Sequence, residues 1–507
     1  MLRQGLLLLL VVSVALSALP YESPVLKRLL ETKDGETLNA RWSPTSNCPY
    51  HPPLVSALPS PLPPILENAL AKMEAGIKAN LEATKVTGGH FLIHYRGQLL
   101  WQMSYGLSNL SDPSSAPTNQ TIFRIGSITK AFTSKIAWNL AQKGKWSLLD
   151  PLAKHLPGFA VQNPFNSNPI TLEMIMAQRS GLPREAPCNY TIFCEAEQSA
   201  ILEDLSLMSL ILPPWKKPSY SNLGFALLGH AEEALTSSSF ADILEEEILQ
   251  PMQLTRTGYR VSEDIYQHMA VGYLSGQPVG LYSLGWNGPC GEMWSTTADL
   301  MAFIEQCTQP LTAFANVNYL NPSGSTLFGS PWETFFLDNY VVLSKAGDVP
   351  GYAASIASAP DLGLTFAYAS NSGSDNLGLT TLVYESLIPA LQSYLSSIVT
   401  PITPPPSFVP FVGNYTIPGT EVVVKMFEHE GHLQVNGAAL DYLGQSVNDS
   451  DVYTFQLLFP PVTGQSCLIS ELLATDYAYF QCTVQNGRCI GCGDPGNMIY
   501  LRRLPDN

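Results

Sequence analysis

The sequence is poor in charge. Only 13% of its 507 residues are Asp, Glu, Lys or Arg, roughly half the usual share of about 25%. What charge exists is acidic: 42 Asp plus Glu against 26 Lys plus Arg, a formal net charge of −16. There is no basic stripe, so the electrostatic footprint of a nucleic-acid binder is missing. Beyond the first residues no run reaches the roughly 20 apolar residues that a membrane-spanning helix needs, and no stable span is expected. The chain also lacks H-E-x-x-H, a Walker loop, a dinucleotide glycine fingerprint and G-x-S-x-G. These absences remove zincin, nucleotide and α/β-hydrolase readings. His429 and His432 flank Glu430-Gly431, but two histidines around a turn without a third ligand read as surface residues. Neither a metal nor an organic cofactor is implied.

Core material is not scarce. Twenty Phe, 22 Tyr and 8 Trp within a 45% hydrophobic chain exclude disorder. The length suits two to four domains, or one large domain and a smaller one. Arg3, the apolar Gly5 to Leu16 and the small residues of Ala15-Leu16-Ser17-Ala18 read as a secretory signal over 1–18. An uncleaved anchor is the alternative, but the run meets Pro20 and Glu22 too soon. Sequons at Asn109, Asn119, Asn189, Asn414 and Asn448 fit a secreted glycoprotein. Nine cysteines do too, because thiols in an oxidising compartment usually pair. Cys188 and Cys194 are spaced to close a small loop, and Cys467, Cys482, Cys489 and Cys492 crowd the C-terminus. In a cytosolic chain Cys489-Ile-Gly-Cys492 would suggest redox work or half a zinc site; here disulfides are expected. The odd count leaves one cysteine free or intermolecular.

Eight prolines between Pro44 and Pro64 mark an extended segment within 19–62. A helix is predicted from Ile65 to Leu81. Two alternating runs, His90–Tyr95 and Leu99–Tyr105, form a hairpin at Arg96-Gly97. Helical patterns broken by Pro- and Gly-rich loops fill the middle. From Tyr340 strands return at Val341–Lys345, Tyr352–Ser358 and Leu364–Ser370, followed by a helix over Leu379–Ile398. A Pro-rich linker at 400–407 then separates a main domain, 63–399, from a small β-rich domain, 408–507. There, alternation recurs at Val422, Val424 and Met426, then at Leu433 and Val435. No internal repeat is present.

The informative segment is Phe123-Arg-Ile-Gly-Ser127-Ile-Thr-Lys130-Ala-Phe-Thr-Ser134. Ile128, Phe132, Ile136 and Leu140 recur every four residues, a buried helical stripe. Ser127 falls at the helix start, where developing negative charge is favoured. Lys130 lies one turn on, over the same face. A lysine buried there loses its proton to desolvation and can accept one from the serine. Of 14 lysines only Lys130 has a serine three residues before it. The bland alternative is a capping serine with a solvent-facing lysine.

Two further segments carry reactive groups. Tyr220-Ser-Asn222 follows a Pro-rich loop and precedes the helical run Leu223–Ala234, which suits a phenol and an amide projecting into a cleft. A second Tyr-x-Asn at Tyr319–Asn321 shows that the pattern is cheap. Lys345-Ala346-Gly347-Asp348 ends a predicted strand, and Gly347 permits close approach of a backbone. The alternative for Lys345 is a solvated strand end.

In order, spacing and placement these segments resemble the penicillin-recognising serine hydrolases. Within them the chain is similar to the group of class C β-lactamases, D-Ala-D-Ala peptidases, esterases and eukaryotic β-lactamase-like proteins. That family carries S-x-x-K at a helix start, Y-x-N on a loop, and K-T-G or H-x-G on a strand; the matches are Ser127–Lys130, Tyr220–Asn222 and Lys345–Gly347. Leu149-Asp-Pro151 through Leu156-Pro157-Gly158, Ile170 through Pro183, and Trp294 through Leu300 also look like family text. The resemblance covers about Leu66 to Leu395. Phe411-Val-Gly-Asn-Tyr415 is similar to the opening of the β-barrel appendices of some relatives.

The resemblance implies an α+β fold: an antiparallel sheet flanked by terminal helices, an inserted helical subdomain, and a small C-terminal all-β domain. It implies Ser127 as nucleophile of an acyl-enzyme and Lys130 and Tyr220 as proton carriers, with Tyr220 positioning the deacylating water. Asn222 would bind a substrate amide side chain. Lys345 would hold Tyr220 electrostatically or meet a substrate carboxylate. The N–H groups of Ser127 and of Asp348, next to Gly347, would form the oxyanion hole. One departure stands out: Ala346 replaces the family threonine and removes a carboxylate-binding hydroxyl. Asp348 adds an acid beside that position. The expected function is hydrolysis of a small-molecule or peptide ester or amide. A true β-lactamase or D-amino-acid peptidase, and a non-catalytic binding or scaffold protein on the same fold, are the rivals. Nothing in the sequence specifies an oligomeric state.

Overall fold

Arg96 and Gly97 both adopt positive φ, 50° and 75°, the geometry that lets a two-residue turn follow the twist of a hairpin. They join β1 (Gly88–Tyr95) to β2 (Gln98–Gly106), as the sequence predicts. The computed structural model of the chain describes residues 52, 54–165, 168–188, 191–309, 314, 317–320, 326–338, 340–398, 407–419, 423–429, 431–435, 438–446, 451–457, 479–494 and 499–505. The expected signal, the Pro-rich extension up to residue 51 together with residue 53, and most of the linker lie outside these residues, as do Cys48, Cys467, Asn189 and Asn448. The chain divides into two units, one spanning His51–Ile398 and one that includes Val399–Asn507.

In the larger unit β1 and β2 join β3 (Val317–Leu320), β4 (Thr326–Gly329), β5 (Glu333–Leu337), β6 (Tyr340–Val349), β7 (Tyr352–Ala359) and β8 (Leu364–Ser370). The order is β2-β1-β8-β7-β6-β5-β4-β3, with every described pair antiparallel. β3, β4 and β5 extend the sheet beyond the strands expected from Tyr340 onward. Pro322, Gly324 and Pro331 break that stretch, leaving short runs with little alternation.

Every residue of β7 and β8 is buried, because the sheet is covered on both faces. On one face pack α1 (Pro64–Ala83) and α5 (Asn376–Ile398). Leu66, Leu70, Met73, Ile77 and Leu81 of α1 fall on one helical stripe and share a core with Phe91, Ile93, Phe366, Leu387 and Leu391. Each such burial contributes about 1.5–3 kcal/mol. The other face meets the segment inserted between β2 and β3, which carries α2 (Thr129–Gln142), α3 (Asn222–Thr236) and α4 (Thr297–Thr308). Ile128, Phe132, Ile136 and Leu140 are buried as predicted, and Phe132 stacks on Phe303 of α4 at 3.8 Å between ring centroids.

The smaller unit is a closed barrel: β9 (Gly413–Thr416), β10 (Val423–His429), β11 (His432–Val435), β12 (Ala438–Gln445), β13 (Val452–Leu457), β14 (Tyr479–Gln485), β15 (Arg488–Asp494) and β16 (Ile499–Arg503). Pairing of Tyr415 with Arg503 closes it. Val424, Met426, Leu433 and Val435 point into its core with Phe411, Tyr415 and Phe455. His429 and His432 pair across the β10–β11 hairpin. Cys188–Cys194 and Cys482–Cys492 are bridged, and Cys489 lies 3.7 Å from the Cys492 sulfur. Among the described residues no helix is long and apolar enough to cross a membrane.

Candidate active site

Two glycines set the site's backbone. Gly126 (φ 50°) precedes Ser127 in the 3₁₀ turn Gly126–Ile128 that leads into α2. A Cβ on Gly126 would meet the Asp348 nitrogen at 2.8 Å, and one on Gly347 would meet the Ile125 carbonyl oxygen at 2.0 Å and the Ser127 nitrogen at 2.7 Å. Strand β6 therefore lies directly against the turn that carries Ser127. The Lys345-Ala-Gly-Asp stretch sits inside this strand, which runs on to Val349 rather than ending there.

Two side chains converge on Ser127 Oγ. Lys130 Nζ donates to Ser127 Oγ at 2.9 Å and Tyr220 Oη donates to the same oxygen at 2.6 Å. Lys130 is completely buried. Its other described partner is the Cys290 carbonyl at 2.8 Å, and burial pushes its pKa below the ordinary lysine value. A buried Arg124–Glu292 pair (3.2 Å) anchors the segment just after that carbonyl, and Thr133 Oγ1 donates to the Pro289 carbonyl at 2.7 Å.

Tyr220 is shifted the other way. Burial raises its phenol to about 12, against the pull of Lys345. Its loop is fixed from below: Ser219 N–H donates to the Gln178 carbonyl (2.7 Å) and Ser221 N–H to Gln178 Oε1 (2.7 Å). Ser221 Oγ caps α3 by accepting from the Gly224 N–H at 2.9 Å.

Asn222, the first residue of α3, donates through Nδ2 to both carboxylate oxygens of Glu185, at 2.8 and 3.0 Å. Its Oδ1 is buried and has no partner among the described residues, so the oxygen, not the amide nitrogen, is the uncommitted atom of this side chain.

Lys345 is not a solvated strand end. Its side chain is 3% exposed and its Nζ donates to Glu333 Oε1 at 2.7 Å and to the Ala346 carbonyl at 3.0 Å. Glu333 stands on β5 opposite Ser344. The acid beside Lys345 is therefore Glu333; the Asp348 carboxylate instead accepts from Asn376 Nδ2 at 3.0 Å, at the start of α5. Sequence reasoning missed Glu333 and Glu185, which lie in no motif, and Gln178, which lies within the Ile170–Pro183 family text but carries no signal of its role there. Only strand register or the tertiary fold brings them in.

A family model described as Beta-lactamase matches residues 73–382. The chain belongs to the β-lactamase family. It is 32% identical to human beta-lactamase-like 1 over 399 residues, 73% of this chain and 78% of that protein. It is 30% identical to beta-lactamase-like protein 2 of Dictyostelium discoideum over 335 residues, 61% of this chain and 60% of that one. Among solved structures, a β-lactamase/D-alanine carboxypeptidase from Yersinia pestis superposes with a TM-score of 0.55 at 20% identity, covering 64% of this chain and 99% of that one. A penicillin-binding protein homologue from Pyrococcus abyssi superposes at 0.54 with 18% identity, over 85% of this chain and 99% of its own. The expected α+β fold with its β-rich C-terminal unit is thus the observed one. Of the β-lactamase-family motifs, the structure brings Ser127, Lys130 and Tyr220 into direct contact. Gly347 and the Asp348 nitrogen lie against that turn, and Lys345 packs 5.4 Å from the Tyr220 ring centroid.

Proposed function

We propose that this β-lactamase-family chain is a serine hydrolase that cleaves an ester or amide through an acyl-enzyme on Ser127. The observation that carries the reading is the convergence of Lys130 Nζ and Tyr220 Oη on Ser127 Oγ. Burial moves the two proton carriers in opposite senses, which favours Lys130 as the acceptor and Tyr220 as the donor of a proton. Lys130, deprotonated, takes the Ser127 proton as Oγ attacks the carbonyl carbon. The N–H groups of Ser127 and Asp348 receive the oxyanion. The bond to the leaving group breaks as Tyr220 gives that group its proton, and the Lys130 ammonium restores the phenol. Water then attacks the acyl carbon, yields its proton to the same pair, and releases the acid as Ser127 Oγ–H is re-formed.

The secretory reading rests on the Cys188–Cys194 and Cys482–Cys492 bridges. Asn414 is exposed, and Asn109 and Asn119 are partly exposed, in keeping with sequon use.

Treatment with a fluorophosphonate probe, with the adduct located by mass spectrometry, tests the proposal. A single adduct on Ser127, absent from Ser127→Ala and slowed in Lys130→Ala, is expected. A folded protein that takes no label overturns it.

A further inference from the structure

Of the three cations that face Tyr220, Arg184 and Lys345 are paired with carboxylates of the chain, and Lys130 is held below its ordinary pKa by burial. Lys130 is buried without a carboxylate partner among the described residues. Arg184, whose guanidinium carbon lies 4.8 Å from the Tyr220 ring centroid, has Nε 3.2 Å from Glu185 Oε1. Lys345 forms its ion pair with Glu333 at 2.7 Å. A substrate carboxylate reaching Lys345 would have to displace Glu333 from a lysine that is 3% exposed, and would find a methyl at Ala346 where a hydroxyl would help.

We propose that the site takes esters or amides whose leaving group carries no carboxylate, and that Glu333 is the residue that sets this preference. The inference rests on the hydrolase reading above. Glu333 also reaches across the site: its negative charge acts on both Lys130 and Tyr220. An anionic leaving group would be brought up against an acid while Lys345 is already paired, and like charge at a recognition site costs affinity.

The test uses two butyrate esters that differ by one charge: that of p-nitrophenol and that of 5-hydroxy-2-nitrobenzoic acid, with rates normalised to their hydrolysis by hydroxide. The wild type is expected to favour the neutral ester by about tenfold or more in kcat/KM, chiefly through KM. Glu333→Gln releases Lys345 and should narrow that ratio by about tenfold. Glu333→Gln/Lys345→Met removes both charges and should give a ratio between those of Glu333→Gln and the wild type. Equal normalised rates in the wild type, or a folded Glu333→Gln with an unchanged ratio, overturns the inference. If Glu333→Gln does not fold, a double variant that keeps the full wild-type ratio overturns it equally. Fluorophosphonate labelling scores the parent reading separately. A labelled protein without charge preference loses only this inference, whereas an unlabelled one that turns over neither ester loses both.

Discussion

The start of α2 and the middle of β6 each bury a lysine against the Tyr220 ring, at 4.8 Å for Lys130 and 5.4 Å for Lys345. On α2 the ammonium is offered a hydroxyl and a carbonyl; on β6 it is offered the carboxylate of Glu333. Burial without a counter-charge turns a lysine into a base, and burial beside one keeps it as half of an ion pair. Two residues of one type, one tyrosine apart, are thus suited to different work by the atoms within 3 Å of each.

The strongest way to break this comparison is Lys130→Met, which removes the base and leaves the pair on β6. A loss of about 10³-fold in kcat on p-nitrophenyl butyrate is expected, with the circular dichroism spectrum retained. If Lys345→Met costs as much, the assignment of the base to α2 fails. Tyr220→Phe should cost about 10²-fold and should also remove the alkaline limb of the pH–rate profile, since the phenol titrates near 12.

The same rule can be sharpened away from the site. Glu232 on α3 is fully buried, neither carboxylate oxygen has a hydrogen-bond partner, and burial with Glu233 and Glu247 nearby raises its pKa well above the usual value. Its folded form keeps a proton that the unfolded form releases above about pH 4.5, so stability falls as pH rises through that range. Glu232→Met should therefore stabilise the fold by about 2 kcal/mol. Calorimetry should show the gain in Tm larger at pH 8 than at pH 5; a constant or reversed gap would show that the carboxyl is not held protonated. The smallest effect concerns Glu333, whose charge raises the Lys130 pKa against the larger lowering by burial. In Glu333→Gln the acid limb of kcat/KM should move to lower pH, by less than about one unit. A limb that moves upward would detach Glu333 from Lys130.

What was legible in the sequence follows chain distance. Ser127 and Lys130 are one helical turn apart, and Tyr220 announces itself through a Pro-rich loop and a capped helix. Glu333 could not be read that way, because β5 is a five-residue strand in a stretch broken by proline and glycine, and its meaning depends on register with Ser344. Asp348 was read as an acid beside the Ala346 position because it is close in sequence, yet its carboxylate is taken up by Asn376 at the start of α5. The barrel's alternation at Val424 and Met426 was visible. Its closure was legible only through the resemblance of Phe411–Tyr415 to barrel appendices, since the pair Tyr415–Arg503 joins the two ends of the barrel's sequence.

The contact between Gly126 and Gly347 means that the reacting geometry is specified partly by missing atoms. The clearance there is smaller than a methyl group. A chain can therefore keep the serine, the lysine and the tyrosine and still be inert, disabled by one carbon on β6 that presses on the Ser127 backbone. For sorting working members of such a family from silent ones, the glycine of the strand is as informative a mark as the serine of the helix.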